Sequence, residues 1–315
     1  MSSKFKIGLV GGGNIGGTLA FAIAHQGIAD VVLLDNTSAT AEGKALDIVQ
    51  SIKLSNVNVN VIGTSDYSYM EDADVVIVTA GSPRKPGMTR DDLIETNARV
   101  MEDVGTQLKK YTPNAFVIVV TNPLDVMVYM MQRITGFDHR KVVGMAGVLD
   151  SARFAYFLSK ELNVALEDVN TFVLGGHGDT MVPLVRYSTV AGISIPDLIK
   201  MGLIEEEKVQ EIVDRTRNGG GEIVKLLQKG SAYYAPAMSA LEMASSYLFD
   251  KRKILTCAAY LTGQYNVNNL YVGVPVIIGS NGVEKILEIP MTPEEKTLFQ
   301  NSVKSVSKMI DVVKY

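Results

Sequence analysis

Apolar and polar positions alternate in blocks along the first half of the chain. Short apolar runs rich in β-branched residues predict strands at residues 7–10, 31–34, 57–62, 75–78 and 116–120, with helices at 16–26, 42–53 and 91–109. Strands that are apolar on both faces and alternate with helices are typical of a parallel sheet covered on both sides. In residues 57–62 asparagine alternates with valine, so this strand should lie at an edge or outside the core.

The pattern changes near residue 146. A helix is predicted at 151–162, and strands are predicted at 171–174, 254–259 and 272–278. After Met291-Thr292-Pro293, apolar residues recur at three- and four-residue spacing (Val303, Val306, Ile310 and Val313), which indicates an amphipathic helix. We therefore predict two closely packed domains, residues 1–145 with a doubly wound parallel sheet and residues 146–315 with an α+β fold.

Residues 205–227 predict a long helix that contains three consecutive glycines, 219–221. Each glycine costs about 1 kcal/mol inside a helix relative to alanine. A break or bend is therefore expected at this point. Close helix packing and room for a ligand are equally good reasons for the glycines.

The composition limits the classes of function. With 47% hydrophobic and 20% charged residues the chain is typical of a globular protein, and a net charge of -4 argues against a nucleic-acid partner. The single cysteine, Cys257, lies in an apolar run and is expected in the core. No apolar run approaches the roughly 20 residues of a membrane span, and the N-terminus lacks an apolar or Arg-rich leader, so a cytoplasmic location is expected.

The first strand leads into a glycine-rich turn, 11–16, that reads G-x-G-x-x-G and opens a helix. Gly11 would allow the tight turn, Gly13 the approach of a pyrophosphate, and Gly16 close packing of the helix on the sheet. Asp35 ends the second strand, where a carboxylate can accept hydrogen bonds from both ribose hydroxyls and repel the phosphate of NADP. The first domain is therefore predicted to be a Rossmann domain that binds NAD.

A histidine between glycines, His177, follows the predicted strand 171–174. Histidine is the usual proton carrier near neutral pH, although a histidine in a loop is more often structural. Asp150 and Arg153 lie three apart on one helix face, where they could also be a surface ion pair. The cationic loop 82–90 could likewise be an ordinary solvated loop. The Thr121-Asn122-Pro123 segment could be an ordinary turn.

Taken together, these segments resemble the lactate/malate dehydrogenases over essentially the whole chain, most closely the malate dehydrogenases of the branch nearest to lactate dehydrogenase. The matching motifs are residues 11–16, Asp35, the Pro83-Arg84-Lys85-Pro86-Gly87-Met88-Thr89-Arg90 loop, Thr121-Asn122-Pro123, Leu149-Asp150-Ser151-Ala152-Arg153 and Gly175-Gly176-His177-Gly178-Asp179. Their order and spacing are those of the family.

The resemblance implies roles for the chemical residues. His177 would exchange a proton with the substrate oxygen, and Asp150 would orient its ring and favour the imidazolium. Arg153 would bind the C1 carboxylate through paired hydrogen bonds, and Asn122 would orient the substrate. Arg90, on a loop that closes over the substrate, would polarise the reacting carbonyl.

The resemblance also implies the cofactor contacts, the assembly and the setting. The residues expected against NAD are Gly11, Gly13, Asn14, Ile15, Gly16, Asp35, Asn97, Val120, Thr121 and Asn122. No metal is expected. The branch usually forms homotetramers built from dimers, although a dimer is possible, and the reaction belongs to the citric acid cycle.

In the family that the chain resembles, the residue six positions before Arg90 distinguishes malate dehydrogenases from lactate dehydrogenases. It is Arg84 here, whereas lactate dehydrogenases typically carry glutamine. In a closed loop an arginine facing the methyl group of pyruvate would be a buried, unpaired charge that costs about 3–5 kcal/mol. Against the second carboxylate of oxaloacetate the same arginine gains hydrogen bonds, so malate and oxaloacetate are the predicted substrates. Lys85 could share this contact.

Three alternatives are open at this point. Another 2-hydroxyacid dehydrogenase, above all lactate dehydrogenase, differs in the loop that carries Arg84. An NAD-dependent glycosidase would need a cysteine–histidine metal site, whereas Cys257 stands alone in its apolar run. A non-catalytic NAD sensor would have no use for a histidine, an aspartate and two arginines in these motifs.

Overall fold

Parallel strands flanked by helices make up the first half of the computed structural model, which describes residues 4–83 and 89–313. Within these ranges the strands are β1 (Lys6–Val10), β2 (Asp30–Leu34), β3 (Val61–Thr64), β4 (Val75–Val78), β5 (Phe116–Val119) and β6 (Val142–Gly144), and the helices are α1 (Asn14–His25), α2 (Ser38–Ile52), α3 (Arg90–Tyr111) and α4 (Leu124–Thr135). The strand order is β3-β2-β1-β4-β5-β6. This is the doubly wound order, in which β2 and β3 are added on one side of β1 and β4 to β6 on the other. The switch leaves a crevice at the carboxyl ends of β1 and β4.

Successive residues of the central strands point into two separate cores. In β4, Val75 and Ile77 belong to one apolar cluster, while Val76 and Val78 belong to the other. Because side chains alternate between the two faces of a strand, each face of the sheet is covered. The fully apolar strands of the sequence follow from this double burial.

The second half adds helices and an antiparallel extension. Its elements are α5 (Gly147–Leu162), β7 (Val169–Asn170), β8 (Val173–Leu174), β9 (Val182–Pro183), β10 (Thr189–Val190), β11 (Ile193–Ser194), α6 (Ile195–Lys200), α7 (Glu206–Leu227), α8 (Tyr234–Leu248), β12 (Lys253–Thr262), β13 (Asn268–Gly279), β14 (Gly282–Ile286) and α9 (Pro293–Ile310). Strand β12 pairs with β6 through Ala258 and Gly144, so the sheet continues as β6-β12-β13-β14. The predicted fold class, an α/β Rossmann sheet followed by an α+β part with antiparallel strands, is confirmed.

Several predicted elements differ from the observed ones. The strand predicted at 57–62 begins only at Val61, and it does lie at the sheet edge beside β2. The strand predicted at 171–174 shortens to Val173–Leu174. The break predicted at glycines 219–221 is wrong, because α7 is helical from Glu206 to Leu227.

The N-termini of α3 and α9 explain where these helices begin. Thr89 and Asp92 form a reciprocal capping box, and Thr292 and Glu295 form another, with Pro293 in the first turn. Such boxes satisfy the free N–H groups of a first turn. None of the helices in the described ranges is long and apolar enough to cross a bilayer.

Candidate active site

The glycine-rich turn lies between β1 and α1. Gly11 has a φ of +110°, a conformation that favours glycine, and its N–H donates to the Leu34 carbonyl at 2.8 Å. A Cβ at Gly16 would collide with the Gly11 carbonyl oxygen. The turn can therefore keep its close contact with the helix only with glycine at both positions.

Asp35 supports this turn from the end of β2. Its Oδ2 accepts from the Gly12 N–H at 2.8 Å, and its Oδ1 accepts from the Thr37 N–H at 3.0 Å. The carboxylate lines a cavity of about 630 Å³ together with Val10, Gly11, Gly13, Leu34, Asn36, Ser65, Tyr67, Thr79, Ala80, Gly81, Ser82, Val100, Asp103 and Val104. The cavity lies at the carboxyl ends of β1, β2 and β4, where doubly wound sheets bind nucleotides.

Lys44 lies outside every motif of the sequence. It projects from α2, and its ammonium group donates to the carbonyl oxygens of Gly12 at 2.5 Å and Gly13 at 3.0 Å. These carbonyls belong to the turn whose N–H groups are expected to face a pyrophosphate. Lys44 thus stabilises the turn by binding its carbonyl oxygens. Nothing in the spacing between this lysine and the glycines indicates the contact.

Asn97 joins two loops on the other side of the crevice. The side chain is 1% exposed, accepts from the Ser82 N–H at 2.8 Å, and donates to the carbonyls of Ser82 at 3.1 Å and Asn122 at 2.6 Å. Thr121 is also buried and donates its hydroxyl to the Ala80 carbonyl at 2.7 Å. Both side chains therefore hold the loops after β4 and β5 together, and the exposed side chain of Asn122 is left at the surface of this junction.

The loop after β8 is anchored by three successive main-chain N–H groups. Gly175, Gly176 and His177 each donate to a different element. The acceptors are, in that order, the Gly273 carbonyl at 2.8 Å, Ser302 Oγ at 2.9 Å and Asp125 Oδ2 at 2.9 Å. A Cβ at Gly176 would lie 2.5 Å from Val306, so glycine also allows α9 to pack here. The position of His177 is consequently fixed by β13, α9 and α4.

His177, Asp150 and Arg153 form one charged cluster. His177 Nδ1 lies 2.8 Å from Asp150 Oδ2, and Arg153 Nη1 lies 3.3 Å from Asp150 Oδ1. The side chain of His177 is 16% exposed, that of Asp150 is 2% exposed and that of Arg153 is 13% exposed. A carboxylate at Nδ1 fixes the tautomer and leaves Nε2 for proton transfer.

The electrostatics of the cluster favour a charged imidazole. Burial works against the imidazolium, but the charge and hydrogen bond of Asp150, with the charge of Asp125, outweigh it, so the pKa of His177 lies above its usual value. Burial lowers the pKa of Arg153, and the negative charge of Asp150 partly offsets this shift. The guanidinium stays charged at neutral pH because its ordinary pKa lies far above 7.

Glycines on α7 make room for Arg153. A Cβ at Gly219 would lie 3.2 Å from Arg153 Cδ, and one at Gly220 would lie 3.7 Å from a guanidinium nitrogen. A Cβ at Gly221 meets nothing within 4 Å. Close helix packing therefore accounts for Gly219, where α7 packs against the arginine of α5, whereas a Cβ at Gly220 would be in ordinary van der Waals contact.

Some predicted residues lie outside the described ranges. Arg84 and Lys85 fall in the 84–88 gap, and Arg90 begins α3 but its side chain is not part of the description. The remaining candidates fall into two groups, one around the glycine turn and one around His177. Within residues 4–83 and 89–313, no cluster of three histidine, cysteine or acidic residues could hold a metal ion.

The two groups are linked through α4 and its preceding loop. Asn97 holds the carbonyl of Asn122, and Asp125, three residues later, holds the N–H of His177. The site therefore combines a nucleotide-type crevice, a proton carrier and a buried cation. Such a set can bind a carboxylate and exchange a proton with a substrate oxygen beside a dinucleotide.

Comparison with known families covers both halves of the chain. Residues 5–144 match the model of the lactate/malate dehydrogenase NAD-binding domain, and residues 147–315 match that of the lactate/malate dehydrogenase α/β C-terminal domain. The cofactor is therefore NAD, and the residues around the glycine turn fit it. The glycosidase alternative is removed.

Solved structures of both activities resemble the chain. The malate dehydrogenase of Cryptosporidium parvum is 47% identical with a TM-score of 0.96, covering 99% of this chain and 98% of that one. The lactate dehydrogenase of the same organism, solved with lactic acid and NAD, is 45% identical with a TM-score of 0.96 over 99% and 98%. The malate dehydrogenase of Plasmodium falciparum is 40% identical with a TM-score of 0.95 over 98% and 100%. The chain belongs to the lactate/malate dehydrogenase family of NAD-dependent oxidoreductases.

Proposed function

We propose that this protein is a malate dehydrogenase, which interconverts (S)-malate and oxaloacetate with NAD. The observation that carries the chemistry is the His177–Asp150 contact of 2.8 Å beside the buried Arg153. The observation that carries the choice of malate is Arg84 in the sequence, because relatives of both specificities are about equally similar.

His177 is the proposed acid and base. In the direction of reduction its Nε2 gives a proton to the ketone oxygen, and the raised pKa of His177 keeps that proton available near neutral pH. In oxidation the neutral ring takes the hydroxyl proton, and Asp150 stabilises the imidazolium that forms. The glycine turn and Asp35 would hold NAD, which would supply the hydride chemistry at the hydroxyl-bearing carbon.

Two arginines are proposed to hold the two ends of the substrate. Arg153 binds the C1 carboxylate, and Asp150 at 3.3 Å balances its charge before the substrate arrives. Arg84 binds the second carboxylate, and Lys85 is a candidate to share that contact. Arg90 polarises the carbonyl, and Asn122 orients the substrate. The catalytic residues of the proposal are thus His177 and Arg90, with Asp150 positioning the imidazole.

A two-substrate assay tests the proposed function. NADH oxidation is followed by its absorbance with oxaloacetate and, separately, with pyruvate. We expect kcat/KM to favour oxaloacetate by more than about a hundredfold, the factor that roughly 3 kcal/mol provides. A preference for pyruvate would identify a lactate dehydrogenase, and no turnover with any 2-keto acid would identify a non-catalytic NAD-binding protein.

Alanine substitutions on α7 test the role of Arg153. We expect Gly219→Ala to raise the KM for oxaloacetate about three- to tenfold, because the new Cβ displaces the arginine by a few tenths of an ångström, less than the roughly 1 Å shift that costs about a hundredfold. Gly221→Ala is the matched control, since its Cβ meets open space. It should leave kinetics unchanged and raise the free energy of unfolding by up to about 1 kcal/mol. Equal KM values for the two variants would contradict the placement of Arg153 in the substrate site.

A homotetramer built from dimers is the proposed assembly, and the citric acid cycle is the proposed setting. Large apolar side chains are exposed on neighbouring helices, with Phe21 47% exposed on α1, Leu46 63% on α2 and Tyr234 68% on α8. Phe21 and Tyr234 line the same surface depression. Exposed apolar surface of this kind supports self-association, and light scattering of the purified protein distinguishes monomer, dimer and tetramer.

A further inference from the structure

Asp125 is a second carboxylate beside His177, and the mechanism above does not use it. It lies in the first turn of α4 and is 1% exposed. Its Oδ2 accepts the main-chain N–H of His177 at 2.9 Å. Among the described residues its other oxygen, Oδ1, is buried with no hydrogen-bond partner. A buried polar atom without a partner is costly, so its presence calls for an explanation.

Holding the loop does not by itself require a carboxylate. The neighbouring N–H of Gly176 is held by the hydroxyl of Ser302 at 2.9 Å, which brings no charge. A neutral acceptor at position 125 could hold the His177 N–H in the same way and would avoid the cost of burying a charge. The feature that distinguishes Asp125 from Ser302 is therefore its negative charge.

We propose that Asp125 is a positioning residue for proton transfer, which fixes the main chain of His177 and stabilises the protonated imidazole through its charge. This inference rests on the proposed function, in which His177 is the proton carrier. Asp150 contacts the imidazole at Nδ1, and Asp125 acts from the main-chain side of the same residue. The imidazolium is thus balanced by two buried carboxylates.

The mutual effects on titration agree with this arrangement. Burial lowers the pKa of His177, and the charge and hydrogen bond of Asp150 raise it. The negative charge of Asp125 raises this pKa further, and Arg153 lowers it. Burial raises the pKa of Asp125 to about 6, while His177 opposes that shift and Asp150 adds to it. The charged groups that face the pair are Asp150 and Arg153 on α5; α9 contributes the neutral Ser302. Above pH 6 Asp125 is mainly charged, and it supports the imidazolium over the neutral range.

The chain offers a direct test, because it contains three histidines, His25, His139 and His177. Histidine labelled with ¹³C and ¹⁵N gives three ring titrations by NMR in the intact protein. In Asp125→Asn, which keeps an oxygen for the His177 N–H and removes the charge, we expect the midpoint of His177 to fall by about half a pH unit or more. The midpoints of His25 and His139 should not move.

Ser302→Ala is the matched control. It removes the acceptor of the adjacent Gly176 N–H without changing any charge. The proposal expects no change in the His177 midpoint in this variant, whatever happens to kcat. An unchanged midpoint in Asp125→Asn, or an equal fall in Ser302→Ala, would overturn the proposal, since either would show that Asp125 acts on geometry alone.

Two further readouts separate this proposal from the proposed function. The pH profile of kcat/KM for ketone reduction should move to lower pH in Asp125→Asn by the same amount as the NMR midpoint, whereas a purely structural residue lowers the rate without moving the profile. In the wild-type protein, the ¹³C signal of the Asp125 carboxyl should titrate near pH 6. A carboxyl that stays protonated through the neutral range would count against the proposal, because it would bring no charge to the imidazolium. A midpoint shift in a protein that reduces no keto acid would support the charge effect and contradict the proposed function.

Discussion

Replacing His177 with asparagine should lower kcat for oxaloacetate reduction by about 10²–10⁴-fold, the usual contribution of a general acid. Asparagine is close to histidine in size and can accept or donate a hydrogen bond, but it does not deliver a proton near neutral pH. The contact with Asp150 at 2.8 Å would be replaced by a neutral one, and the main-chain anchors of the loop on β13, α9 and α4 would remain.

NADH binding should stay near normal in this variant, because the glycine turn and Asp35 lie in a separate part of the site. Fluorescence titration with NADH measures this directly. His139→Asn is the matched control, since His139 lies beside Asp138 with a side chain 42% exposed, and it should leave both kcat and NADH binding unchanged. Loss of cofactor affinity in His177→Asn, or retention of most of its activity, would contradict the assignment of His177 as the proton carrier.

Replacing Arg84 with glutamine should lower kcat/KM for oxaloacetate by more than about a hundredfold, and it should lower kcat/KM for pyruvate little or not at all. The physical reason is the second carboxylate of oxaloacetate, which loses its charge-assisted hydrogen bonds when the guanidinium is removed. For pyruvate the substitution also removes a cation that would face a methyl group, where an unpaired charge costs about 3–5 kcal/mol. Steady-state kinetics on both substrates measures the two effects.

Lys85→Gln is the natural comparison, because it removes the same charge from the next residue. A small effect from Lys85→Gln beside a large one from Arg84→Gln assigns the second carboxylate to Arg84. Similar losses from both variants would show that the two cations share it. Equal losses on oxaloacetate and pyruvate in Arg84→Gln would contradict the role of Arg84, because a general disturbance of the loop affects both substrates alike.

The parallel sheet could be predicted from the sequence because its strands are buried on both faces. The four buried residues of β4 are an example. An apolar run of this kind, between glycine turns and helices, has few interpretations other than a buried strand. Helices α4 and α8 were not predicted, and the reason is their burial. In both, most residues are buried, including Met127, Met130 and Met131 in α4. A helix covered on most sides lacks the polar face that reveals helical spacing.

The residues that carry chemistry could be found only where a motif surrounds them. His177 lies between glycines after a strand, and Asp150 and Arg153 share a helix face. Asp125 has no such signal, because an aspartate in the first turn of a helix is common for reasons of capping and dipole. Its partner is 52 residues away along the chain, and only the packing of α4 against the β8 loop brings them together.

The double contact of Asp35 has a consequence for attempts to redesign the protein for NADP. The usual change, replacing the acidic residue after β2, would free the N–H groups of Gly12 and Thr37 as well as remove the charge that repels the extra phosphate. A small apolar replacement would therefore loosen the turn that receives either dinucleotide. Serine, which keeps an oxygen for Gly12 or Thr37, is the better starting point, and a basic residue for the added phosphate should be introduced elsewhere than at position 35.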